Sequence, residues 1–201
     1  MAKRKINSRG YSPRKLETKK PKERFLIVCE GSKTEPNYFR SFRVPRDVVE
    51  VHGLGEDPST LVRSATDLKN KDGDDYDQIW CVFDRDSWTL EKFNNARSSA
   101  TSQGFRVAYS NEAFELWYIL HFQYLNTGIP RKDYSPKLSS LLGKKYEKNS
   151  ETIYDELLDK QPTAIRNAEK LLTEYDPPVP AKNNPSTTVH LLVQELNRFI
   201  Q

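Results

Sequence analysis

Apolar residues follow two different rhythms along this chain, and the change falls near residue 128. Before it, short apolar runs alternate with stretches of helical spacing. FLIVCE (25–30) is a continuous apolar run that ends in a charge, the pattern of a strand buried on both faces of a parallel sheet. The loop GSKTE (31–35) follows, and Thr34 is placed to cap a helix running through Pro36, Tyr38, Phe39 and Phe42, with proline at an early helical position. DVVEVHGL (47–54) alternates enough to be a second strand. DPSTLVRSATDLKNK (57–71) then opens on an Asp or Ser cap and carries Leu61, Val62, Ala65 and Leu68 at helical spacing.

The third strand is the clearest, because YDQIWCVFDRD (76–86) sets Ile79, Trp80, Cys81, Val82 and Phe83 between polar flanks and again ends in carboxylates. A helix at 89–103 leads through Gly104 to a fourth strand, FRVAYS (105–110), and then to the aromatic NEAFELWYILHF (111–122), a helix that must be largely buried. Strands alternating with helices predict an α/β fold with a parallel, Rossmann-like sheet and right-handed crossovers. After 128 the spacing predicts helices alone, at 135–143, 150–159, 161–175 and 186–200, with DPPVPAKNNP (176–185) as a breaker before the last. The expected organisation is an arm at 1–23, an α/β core at 24–128 and a helical segment, 129–201, packed on that core.

Charge changes the picture only when it is divided along the chain. The formal net charge is +4, but residues 1–24 hold ten basic residues against two acidic ones, a surplus of eight, so residues 25–201 sum to −4. Lys3, Arg4, Lys5, Arg9, Arg14, Lys15, Lys19 and Lys20 form an arm suited to the phosphate backbone of DNA or RNA, although basic tails are also ordinary solvated extensions. No apolar run approaches the ~20 residues that a membrane span needs, and the first residues lack a secretory apolar region, so a soluble cytoplasmic protein is expected. Cys29 and Cys81, the two cysteines, sit inside apolar runs and read as buried small hydrophobes. No P-loop, G-x-S-x-G or G-x-G-x-x-G pattern occurs, which disfavours nucleotide hydrolysis, acyl transfer and dinucleotide binding.

The candidate chemistry lies at strand ends, where open parallel sheets form their ligand crevices. Glu30 closes the first strand, and Asp84 and Asp86 close the third. In extended backbone, residues two apart point the same way, so the two Asp side chains would converge on one ion. Oxygen-only ligation favours Mg²⁺ or Mn²⁺ over zinc. Each carboxylate alone is better read as a cap, a turn former or a solvated group, and only the three together in matching strand context favour function. Lys33, just after Glu30, is a candidate phosphate contact or an exposed loop lysine. Asn111 follows the fourth strand. Glu115, amid Phe114, Leu116, Trp117 and Tyr118, needs a partner if buried. His121 reads as a structural hydrogen-bonding group, and Asn184, Pro185, Ser186 and Thr187 as the N-cap of the last helix. Trp80, Trp88 and Trp117 read as core and rim.

CEGSKTEPNYF (29–39), VFDRD (82–86) and SNEAFELWYILHF (110–122) together resemble the RloB family, Toprim-like proteins that occur with phage-defence and restriction-associated genes. The likeness is strong over residues 24–122 and extends more weakly through YEK (146–148) to NPSTTVHLL (184–192). Toprim domains place a Glu after the first strand and a D-x-D after the third, which falls on Glu30, Asp84 and Asp86. The resemblance implies a Mg²⁺-dependent (or Mn²⁺-dependent) nuclease of anti-phage defence, with Glu30 as general acid or base, Asp84 and Asp86 as ligands, and Glu115 as a fourth acidic contribution. It also implies an ATPase partner encoded nearby, and leaves a homo-oligomer open. The rival readings are a primase or nucleotidyl transferase, for which no nucleotide-binding face is found, and a non-catalytic nucleic-acid adaptor with a structural metal.

Overall fold

A computed structural model of the protein describes residues 23–45, 47–71, 76–86 and 88–200, so the basic arm residues Lys3 to Lys20 lie outside the described residues. Five strands form one sheet in the order β2-β1-β3-β4-β5. β1 (Phe25–Cys29), β2 (Val49–Gly53), β3 (Gln78–Asp84) and β4 (Arg106–Asn111) are parallel, and β5 (Ser186–Thr187) runs antiparallel at the edge. This is the α/β core with a mostly parallel sheet expected from the alternating pattern, and it is consistent with the Toprim-like fold that the resemblance implies. Among the described residues, no helix is long and apolar enough to cross a membrane.

The continuous apolar runs are explained by burial on both faces. Phe25, Ile27 and Cys29 of β1 enter one core cluster with Trp80 and Val82 of β3, whereas Leu26, Val28, Ile79, Cys81 and Phe83 enter the cluster on the opposite face. Period-two alternation thus assigns each strand residue to a layer. The second face is covered by α2 (Pro58–Lys71) and α3 (Leu90–Ser102), through Leu61, Val62, Ala65, Phe93, Ala96 and Ala100. Asp57 caps α2 as expected, accepting from Ser59 N at 3.0 Å and from Thr60 Oγ1 at 2.8 Å.

The first face is covered by α1 (Thr34–Arg40), α4 (Glu115–Leu120) and the later helices α5 (Arg131–Leu142), α6 (Ile153–Leu157), α7 (Gln161–Thr173) and α8 (Val189–Asn197). The aromatic segment is as buried as its composition demands, but its helix is shorter than 111–122: Asn111 still belongs to β4, and the helix begins only at Glu115. Thr34 is not a cap. It is the first helical residue, and its hydroxyl donates across the fold to the Lys148 carbonyl at 2.9 Å.

The reading of helices alone after 128 is also corrected. Ser186 and Thr187 form a strand, with Ser110 paired to Thr187 and Asn111 to Ser186, and their hydroxyls satisfy buried groups there. Thr187 Oγ1 donates to the Tyr109 carbonyl at 2.9 Å and lies 3.0 Å from Ser110 Oγ. Polar residues at this edge form strand because β4 offers backbone partners that a helix turn would leave unmet. The Asn111 side chain, donating to the Pro180 carbonyl at 3.1 Å, ties the proline-rich breaker to the same edge.

The last helix therefore belongs to the main core. Val189, Leu192, Val193 and Leu196 are all fully buried in the cluster that begins at Phe25. Leu192→Ala should cost about 2–5 kcal/mol by leaving a cavity beside the sheet. Urea unfolding checks it: a loss under ~1 kcal/mol would mean that α8 is only loosely applied to the core.

Candidate active site

The chain order places a crevice before any side chain is considered. From β1 the chain passes to one side of the sheet for β2 and then to the other side for β3, so the order reverses between β1 and β3. At the carboxyl ends of these two strands lies a cavity of about 380 Å³ whose lining includes Glu30, Gly31, Glu35, Asp84, Asp86, Trp88 and Arg131. All three carboxylates singled out from the sequence line it, and Glu35 joins them.

Glu30 is held at both oxygens. Its Oε2 accepts from the Asp84 backbone N–H at 3.0 Å, and its Oε1 from Trp88 Nε1 at 2.8 Å, so it bridges the end of β1 to the end of β3. Burial pushes its carboxyl up, and these two hydrogen bonds pull it back. Trp88 is thus more than rim packing, since its indole orients the first carboxylate of the site.

Asp84 and Asp86 do converge, but not through strand alternation. β3 ends at Asp84, and Asp86 takes a positive φ of 36° in the turn beyond. Arg131, the first residue of α5, joins them: its Nη1 lies 2.9 Å from Asp86 Oδ2 and 3.8 Å from Asp84 Oδ2. The contact to Asp86 is a close ion pair, and the one to Asp84 is longer.

Behind the cavity wall the acidic cluster continues into the core. Glu35 is 6% exposed, Asp84 7% and Glu115 4%. Glu35 sits in the first turn of α1 with its carboxylate against Gly31, where a methyl group on residue 31 would stand 2.0 Å from Glu35 Oε2. The missing side chain at 31 is what admits this carboxylate beside the crevice. Glu115 receives the Tyr146 hydroxyl at 3.5 Å and the Lys148 ammonium at 3.5 Å, so a partner demanded by its burial is supplied by the two ends of YEK.

Crowding of like charge shows in the proton affinities. Burial pushes the Asp84 carboxyl well up, and Glu35, Glu115 and Glu30 add to the shift while Arg131 opposes it. Burial and the charges of Glu115 and Glu30 raise Glu35 to about 7. Among the described residues, no three His, Cys, Asp or Glu side chains are grouped so as to hold an ion as they stand. In donor type and charge the set nevertheless fits a hard divalent cation, because it is all oxygen and carries more carboxylates than cations. Arg131 stands against two of its carboxylates, Asp84 and Asp86.

The remaining candidates fall elsewhere. Lys33 is exposed, precedes α1 and is not part of the cavity lining. His121 is buried with Nδ1 2.9 Å from the Trp117 carbonyl, and burial lowers it to about 4, in keeping with a neutral structural imidazole. Both cysteines are buried and free. Four residues of this cluster were not assigned to it from the sequence: Glu35, Trp88, Arg131 and Lys148. Glu35 and Trp88 each follow the end of a recognisable strand within six residues.

With this geometry in view, comparison with known proteins gives one family. The family model described as RloB-like protein matches residues 25–196, and the chain belongs to that family. No curated protein and no solved structure matches it.

The raised carboxyls have a pH signature. A carboxyl whose folded affinity for protons exceeds its unfolded one binds more protons when folded, so stability falls as pH rises from about 4.5 to about 7 through Glu35 and levels off above. Glu35→Gln should be more stable than the parent by roughly 1–3 kcal/mol at pH 8 and about equal at pH 4. Denaturant melts across this range check it, and an equal deficit at both pH values would show that Glu35 is not a buried charge.

Proposed function

We propose that the chain is a metal-dependent nuclease of anti-phage defence that cuts the phosphodiester backbone of DNA or RNA. The observation that carries the proposal is the meeting of Glu30, Asp84 and Asp86 on one solvent-open cavity at the point where strand order reverses. Glu30, Asp84 and Asp86 would hold Mg²⁺ or Mn²⁺, which supplies a Lewis acid for the phosphoryl oxygen and a more acidic bound water. Glu30 is fixed by Trp88 and by the Asp84 amide, so it is oriented for proton transfer, and its raised carboxyl moves it toward neutral working pH. Glu35 lines the same cavity, and the charge of Glu30 adds to the proton affinity that burial gives it. Glu115 adds negative charge without lining the cavity. A basic arm would hold the substrate's phosphates, and an ATPase partner encoded nearby would restrain a nuclease harmful to its own cell.

One observation favours a second reading. Arg131 and Lys148 already answer part of the carboxylate charge, as they would in a non-catalytic nucleic-acid adaptor with a structural site. Incubation with tRNA, rRNA, single-stranded DNA and duplex DNA in Mg²⁺, Mn²⁺ or EDTA separates the two. Cleavage should need the metal and fall at least about 100-fold in Asp84→Asn and in Glu30→Gln, a loss of about 2.7 kcal/mol in transition-state stabilisation. Full metal-dependent cleavage by Glu30→Gln would remove its acid–base role. Nucleic-acid binding in EDTA, unchanged by Asp84→Asn and with no cleavage of any substrate, would establish the adaptor. Removing residues 1–22 should weaken binding and flatten its dependence on salt.

A further inference from the structure

We infer that Arg131 is the resident counter-ion of this site, and that a divalent cation enters by displacing its guanidinium from between Asp84 and Asp86. The inference rests on the proposed cation site and adds the side chain with which a cation would compete there. Arg131 Nη1 is 2.9 Å from one carboxylate and 3.8 Å from the other. A single positive charge shared by two acidic groups at one rim occupies the ground that a shared cation needs. Both cannot stand there, since two cations within about 4 Å repel by several kcal/mol even at the effective dielectric of a protein surface.

Three features make the arginine displaceable rather than structural. Its side chain is 38% exposed, so the released group has water to enter. Both of its contacts come from a single nitrogen, Nη1, unlike the paired, planar two-nitrogen contact of a permanent arginine–carboxylate bridge. It also sits at the first residue of α5, directly after Pro130, where a side chain can swing without unwinding a helical turn. Lys148 differs in one respect: its carboxylate, Glu115, does not line the cavity. Once displaced, Arg131 remains on the cavity wall as a cation with five donors, suited to a phosphate oxygen of the bound strand. It is thereby a positioning residue for substrate as well as a competitor for metal.

The test is calorimetric titration of Mn²⁺ into the full chain and into Arg131→Met and Arg131→Lys, without substrate. Arg131→Met should bind Mn²⁺ at least about tenfold more tightly than the parent, while Arg131→Lys, which keeps the charge, should stay within about threefold. Equal gains in both variants would make the effect steric and overturn the inference. Binding by the parent with no gain in Arg131→Met would overturn it too, while leaving the cation site intact. No Mn²⁺ uptake by any of the three folded proteins would defeat the cation site and this inference together. Should Arg131→Met fail to fold, the parent labelled at its arginine nitrogens serves instead. The Arg131 Nε signal, assigned by its loss in Arg131→Lys, should shift as Mg²⁺ is added, and a signal unmoved at saturation overturns the displacement.

Discussion

Repulsion among acidic groups at the carboxyl end of a buried sheet is the constraint around which this protein is arranged. Asp84, Glu35 and Glu115 are each at most 7% exposed, and the charges of Glu35 and Glu115 raise the proton affinity of Asp84. Isolated carboxylates so placed would cost several kcal/mol apiece. The fold offsets that cost with cations from outside the alternating core: Arg131 at the start of α5 and Lys148 in the loop after it. Helices after residue 128 therefore complete the site electrostatically as well as covering the sheet.

The same dependence explains why the two halves share one core. α1 brings Glu35 to the crevice because Gly31 leaves room, and α1 is itself held through Tyr38 and Phe39 against Phe114, Tyr118 and Tyr154. Thr34 reaches the Lys148 carbonyl, so the loop that delivers the lysine is tied to the helix that delivers the glutamate. At the opposite edge, β5 fixes the return of the chain against β4 before α8 enters the core.

Much of this was readable from residue order, for physical reasons that also mark the limits. Parallel strands buried on both faces leave continuous apolar runs, so FLIVC and IWCVF located β1 and β3, and the residues ending those runs located Glu30 and Asp84. Asp86 was found for the wrong reason: a turn with positive φ, not an extended backbone, turns it back toward Asp84. Arg131 and Lys148 could not be found locally, since neither has a partner within ten residues and their role exists only once the chain has folded over the sheet. Trp88 was hidden by the dual character of indole, which packs and donates with the same ring. The two-residue β5 was hidden because its partners, Ser110 and Asn111, lie 75 or more residues earlier.

Membership of the RloB-like family and an α/β core with a carboxylate crevice are fixed by the match and the geometry; nuclease chemistry is the reading that gives that crevice a purpose. The most direct test is crystallographic: diffraction from crystals grown with Mn²⁺, recorded at a wavelength where manganese scatters anomalously. The account predicts one or two peaks touching carboxylate oxygens of Glu30, Asp84 and Asp86, with the Arg131 guanidinium turned away. A well-ordered crevice with no peak, and Arg131 still seated between the two aspartates at saturating Mn²⁺, would contradict it.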